Sequence, residues 1–124
     1  MYLKNLKLWN FRKYGNPDPF DLDQPHLDLN FIKGVNVLVG KNDSGKSAII
    51  DAIKIVLKTH SYDWYKIDQD DFFDDSERLR VEITLDDLAP EEAKHFTEWL
   101  GWVKDNKGNV KCYLRLILDV RRNL

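Results

Sequence analysis

Cysteine is nearly absent. Cys112 stands alone, which excludes an internal disulfide, fits a reducing compartment and leaves the thiol as a small apolar filler. Histidine is almost as sparse: His26, His60 and His95 are scattered, with no H-x-x-x-H spacing and no cysteine pair, so no zinc site is expected. No stretch of about 18 apolar residues occurs, and Lys4, Lys7, Arg12 and Lys13 interrupt the region where a signal-peptide core would lie. The expectation is a soluble, cytoplasmic protein with no membrane partner. Neither sign of charge dominates, since 19 Lys and Arg face 21 Asp and Glu for a net charge of -2, so composition argues neither for nor against nucleic acid. No repeat or low-complexity segment is evident.

Against that plain background one motif stands out. Gly40-Lys41-Asn42-Asp43-Ser44-Gly45-Lys46-Ser47 is a complete G-x-x-x-x-G-K-S phosphate loop. The apolar run Val35-Asn36-Val37-Leu38-Val39 before it predicts a buried strand, and Ala48 to Lys58 after it predicts a helix. Backbone N–H groups and the positive end of a helix at such a junction can surround a triphosphate without steric cost. Gly40 and Gly45 would let the chain wrap closely, Lys46 would reach the β- and γ-phosphates, and Ser47 would place its hydroxyl on Mg²⁺. Asn42 would bond a terminal phosphate oxygen or the attacking water, or else hold its own turn. Lys41, Asp43 and Ser44 complete the candidate nucleotide site, with Lys41 and Asp43 facing solvent or a partner surface.

The flanks suggest a mixed α/β fold. Residues 2 to 11 read as a first strand, ended by Gly15-Asn16-Pro17-Asp18-Pro19. Leu27, Leu29 and Phe31 suggest a second, turned by Lys33-Gly34. On the helix, Asp51, Lys54 and Lys58 leave one polar stripe, whereas Ile49, Ile50, Ile53, Val56 and Leu57 suggest packing on more than one side. The alternation Leu79, Val81, Ile83, Leu85 gives a half-buried strand, and Leu114, Leu116, Leu118, Val120 another. Between them, Pro90-Glu91-Glu92 should open a helix carrying Ala93, Phe96, Trp99 and Leu100, with Gly101 ending it. Residues 61 to 77 are acidic and irregular, and read as solvated surface rather than as a metal site. Trp64 and Tyr65 are open to either of two uses, stacking an adenine or packing on the nearby helix. At 124 residues the chain can form one modest core, and it looks like a piece of a larger nucleotide domain.

Taken together, Asn10-Phe11-Arg12-Lys13-Tyr14 and the phosphate loop resemble the N-terminal lobe of ABC-type DNA-maintenance ATPases, as in RecF and the SMC proteins. Asp70-Asp71-Phe72-Phe73, the Arg78 to Leu85 strand and Ala89-Pro90-Glu91-Glu92 look most like the OLD (overcoming lysogenization defect) family of nucleases. The resemblance implies a partial ABC-type P-loop NTPase head spanning residues 1–124, binding ATP and Mg²⁺. It implies that heads pair as a homodimer around ATP and that the intact protein acts on DNA as an ATP-dependent endonuclease through a separate Toprim domain. The Walker B, signature and Toprim regions would then lie outside these residues, and this piece alone would be inactive. Arg12 would lie near the nucleotide, or else be a solvated cation at a strand end; Gln69 is a weaker candidate for sensing Mg²⁺ or water. A RecF- or SMC-like repair ATPase without nuclease chemistry is the alternative, and a small P-loop kinase or nucleotidase a further one. Leu116-Ile117-Leu118-Asp119 mimics a Walker B strand, but Tyr113 and Arg115 alternate with its leucines and no glutamate follows Asp119.

Overall fold

The computed structural model describes residues 2–34, 36–38, 45–60, 67–89, 91, 100–104 and 110–122. Among these residues, five strands form one sheet: β1 (Tyr2–Trp9), β2 (Leu27–Asn30), β3 (Arg78–Asp86), β4 (Leu100–Lys104) and β5 (Val110–Arg121). Their spatial order is β2-β1-β3-β5-β4, and every pair of neighbours runs antiparallel. Among the described residues, helix α1 (Lys46–His60) and a 3₁₀ turn (Gln69–Asp71) lie between β2 and β3.

Alternation sorts the residues of the sheet onto two faces. Leu6 and Leu8 of β1 stand opposite Ile83 and Val81 of β3, which in turn stand opposite Leu116 and Leu118 of β5. A side-chain period of two puts these residues on one face. Helix α1 lies over β3 and β5 on this face and contributes Ala48, Ile49, Ala52, Ile55 and Val56 to the core. Each large aliphatic side chain buried here contributes about 1.5–3 kcal/mol, so the sheet and helix hold each other in place.

The opposite face is polar and cross-linked. Asp119 accepts from Arg78 at 2.6 and 2.8 Å and from Arg80 at 3.0 Å, and Glu82 accepts from Arg115 at 2.6 Å and Arg80 at 3.3 Å. Burial works against the charge of Glu82, but the bonds and attraction from Arg115 and Arg80 outweigh it and hold its carboxyl below the usual value. The hydrogen bond from Arg78 likewise holds Asp119 low. Trp9 is buried beside this network, with Arg80 over its ring at 5.5 Å and its indole N–H bonded to the Asp21 carbonyl at 2.9 Å.

Three sequence expectations change. Residues Asn36–Leu38 form no strand, and Val37 is 75% exposed. Asn36 instead folds back on Ile32, its amide oxygen accepting from the Ile32 N–H at 3.0 Å and its Nδ2 donating to the Ile32 carbonyl at 2.8 Å. A short amide that satisfies the backbone locally competes with a strand ladder, and no strand runs alongside these three residues among those described. Leu100 and Gly101, expected to finish a helix, instead begin β4, opposite Leu114 and Tyr113. The long edge of β5 offers a full row of backbone partners there, which outweighs local propensity. Helix α1 buries a single face, since Ile50 and Leu57 remain 44% and 43% exposed. The expected helix body at 92–99, the turn at 105–108 and the aromatic pair Trp64-Tyr65 lie outside the described residues.

Candidate functional site

The phosphate loop ends where α1 begins. Of its residues, Gly45, Lys46 and Ser47 are described, and Gly40, Lys41, Asn42, Asp43 and Ser44 lie outside the described residues. Gly45 has φ of +95°, a region in which an L side chain is strained. It is also buried, and a Cβ built on it would stand 2.8 Å from Lys13 Cδ and run into Tyr14 Oη. Its carbonyl accepts from the Ile49 N–H at 3.2 Å, the first bond of the helix. Lys46 is half-buried and Ser47 exposed, so the hydroxyl and ammonium stand at an accessible helix N-terminus.

The first turn of α1 contains no acidic residue. The partial positive charge of the helix end is therefore not offset by a carboxylate of its own, which suits an incoming anion. Gly45, packed too closely on Lys13 and Tyr14 to carry a side chain, opens the helix N-terminus where the exposed Ser47 hydroxyl stands, and this junction fits a nucleotide phosphate and its divalent ion.

Arg12 is neither a free strand-end cation nor isolated. Its Nη1 donates to Asp51 Oδ2 at 2.6 Å and its Nε to Asp71 Oδ1 at 3.0 Å, while its own N–H donates to the Asp71 carbonyl at 2.7 Å. Burial works against its charge, but the two carboxylates prevail and raise its pKa further above the ordinary arginine value. Asp51 follows Ser47 by four residues on α1, so both lie on one helix face. Arg12 is thus fixed within a helical turn of the loop's serine.

The acidic segment also differs from a uniformly solvated run. Asp68, Asp70, Asp74, Asp75 and Glu77 are exposed, but Asp71 is only 4% exposed. A capping box fixes it: Asp68 takes the N-terminal position of the 3₁₀ turn, and its N–H donates to Asp71 Oδ2 at 3.0 Å. The D-x-x-D spacing of Asp68 and Asp71 is the sequence signal for this box; nothing in the pattern marks Asp51 or Tyr14. Gln69 opens the same turn and is exposed. Asp119, the Walker B mimic, is committed to Arg78 and Arg80 on the far face of the sheet. No group of three or more metal-ligating side chains occurs among the described residues. Among them, too, no helix is long and apolar enough to cross a membrane.

Known proteins match this arrangement. RecF, the DNA replication and repair protein, from Cytophaga hutchinsonii is 34% identical over 62 residues, which is 50% of this chain and 14% of the relative. The DNA double-strand break repair Rad50 ATPase of Methanococcus maripaludis is 37% identical over 57 residues, 46% of this chain and 5% of the relative. The chromosome partition protein Smc of Fusobacterium nucleatum is 39% identical over 62 residues, 50% and 4% respectively. The chain therefore spans a small part of the length of these relatives. A solved structure from work on ATP-driven dimerization and DNA-stimulated activation of SMC ATPases aligns with a TM-score of 0.51 and 30% identity, covering 68% of this chain and 51% of that one. The fold is accordingly that of a P-loop, ABC-type ATPase head, related to the RecF, Rad50 and SMC ATPases. Residues 1–106 match the family model described as AAA ATPase domain, and the chain belongs to that family.

Proposed function

We propose that this chain is the ATP-binding lobe of an ATPase that acts on DNA. Gly40, Lys41, Asn42, Asp43, Ser44, Gly45, Lys46 and Ser47 hold the triphosphate, with Ser47 on Mg²⁺ and Arg12 beside the nucleotide. The observation that carries this reading is the junction at Gly45: a left-handed glycine, closed in by Lys13 and Tyr14, opens a helix free of acidic residues in its first turn. Bound there, Mg²⁺ would neutralise phosphate charge; the chain's own part is to bind, orient and surround the phosphates. Two heads enclosing ATP would form a homodimer, a reading supported by the SMC neighbour, which is described as dimerizing in an ATP-driven way.

Calorimetry of Mg-ATP with the full-length protein tests the site. Lys46→Ala is expected to weaken binding at least tenfold, because it removes a charged bond to phosphate worth about 1.5–3 kcal/mol. Equal affinity in the variant and the wild type would sink the phosphate-loop assignment.

The finer reading is an OLD-family endonuclease, supported by Asp70-Asp71-Phe72-Phe73 and Ala89-Pro90-Glu91-Glu92. The RecF, Rad50 and Smc relatives give about equal support to the other reading, a RecF- or SMC-like DNA repair ATPase without nuclease chemistry. Supercoiled plasmid separates them: the full-length protein with a divalent metal nicks it in the first case and leaves it intact in the second.

A further inference from the structure

The turn after β1 touches three elements at once. Phe11 and Tyr14 exchange backbone bonds, with the Phe11 N–H donating to the Tyr14 carbonyl at 3.0 Å and the Tyr14 N–H to the Phe11 carbonyl at 2.9 Å. Asn10 and Arg12 make the tight reversal possible by adopting left-handed backbone, at φ of 53° and 52°. On one side the turn is tied to the 3₁₀ segment, through the Arg12 N–H to Asp71, the Phe73 N–H to the Asn10 carbonyl at 2.9 Å, and a bridge between Phe11 and Phe72. On another side Arg12 reaches Asp51 of α1. The third contact is Tyr14, whose hydroxyl donates to the Gly45 carbonyl at 3.3 Å.

That carbonyl is also the acceptor of the first helical bond of α1, from Ile49. The orientation of the Gly45–Lys46 peptide therefore depends on two donors, one from the helix and one from a turn more than thirty residues earlier in the chain. Glycine at this position removes the Cβ that would otherwise collide with the Tyr14 phenol, so the close approach and the residue type require each other. Tyr14 packs its ring against the hydrophobic core, which fixes where the hydroxyl can point.

We propose that Tyr14 is a positioning residue for the phosphate loop: by holding the Gly45 carbonyl it sets the start of α1 in the arrangement that receives the phosphates. The inference rests on the triphosphate reading of Gly40 to Ser47. Burial raises the Tyr14 pKa above the ordinary tyrosine value, so the hydroxyl remains a donor through neutral and mildly alkaline pH.

The test is Tyr14→Phe in the full-length protein, with Mg-ATP affinity by calorimetry and melting of the nucleotide-free protein measured side by side. The substitution keeps the ring and its packing and deletes only the donor. Affinity is expected to fall about three- to fivefold, with no more than the small drop in nucleotide-free melting temperature that losing one neutral hydrogen bond brings. A purely structural tyrosine would lower melting without a separate loss of affinity, and that result, or unchanged affinity, overturns the proposal. Tyr14→Ala removes the ring as well and is expected to weaken binding further. Lys46→Ala, measured in the same series, keeps the two failures apart. If Lys46→Ala loses binding and Tyr14→Phe does not, only the role of Tyr14 is wrong; if the wild type itself fails to bind, both readings fall.

Discussion

His26 accepts from the Asn10 N–H through Nδ1 at 2.9 Å, a bond that only an unprotonated ring nitrogen can take. Burial lowers its pKa, and the nearby Asp18 opposes the shift without reversing it. The folded chain thus gives up its proton more readily than the unfolded chain, whose value lies near about 6.5. Between the two values the unfolded state binds more protons, so stability rises with pH. The contribution is complete above the unfolded value and is lost as pH falls through the lower folded one. Urea unfolding from pH 7.5 down to 5 is expected to show this loss in the wild type and a shallower one in His26→Asn, which keeps an acceptor but does not titrate. Identical slopes would remove His26 from the account. The same bond explains why Asn10 holds a left-handed conformation at the end of β1: its N–H is satisfied by His26 and its carbonyl by Phe73. Residue roles of this kind are poorly legible in a sequence, because His26 and Asn10 meet only once the intervening chain has folded.

At the scale of elements, legibility follows whether the deciding force is local. Strands β1, β3 and β5 are readable because Leu6 and Leu8, the Leu79 to Leu85 alternation and Leu114 with Leu116 each record one buried face. The start of α1 is readable too, since glycine, lysine and serine at fixed spacing answer to loop geometry rather than to distant packing. The failures occur where partners decide. Val37 and Leu38 look like strand residues, but a strand is held by backbone bonds to a neighbour, and Asn36 supplies local bonds to Ile32 instead. Leu100 and Gly101 read as the end of a helix, yet β5 gives them a ladder to join. Asp71 reads as one more acid in a solvated run, and only the fold brings Arg12 to it. The phosphate loop is thus visible from sequence, whereas the brace around it, Tyr14 on Gly45 and Arg12 between Asp51 and Asp71, is a product of tertiary structure.

On the scale of the whole molecule, the described residues set helix α1 over one face of a sheet, giving a dry side and a wet side, and α1 marks the boundary. Its apolar residues outnumber those the sheet can cover: Ala48, Ile49, Ala52, Ile55 and Val56 are buried, while Ile50 and Leu57 remain more than two-fifths exposed. Residues 50 and 57 are separated by seven positions, two turns of helix, so they lie on a common stripe away from the core. Burial energy scales with the area removed from water, so these two contribute little to holding this chain together. Surface substitutions away from buried groups usually change stability by within about 0.5 kcal/mol. The double variant Ile50→Gln, Leu57→Gln of residues 1–124 is therefore expected to unfold in urea within about 1 kcal/mol of the parent. Ile55→Ala and Val56→Ala, at 2% and 0% exposure on the same helix, are each expected to cost far more, up to about 5 kcal/mol for the isoleucine. The contrast is what tests the architecture. Equal losses from the two faces would mean that α1 is buried on both sides and that its single-faced packing on β3 and β5 is wrong.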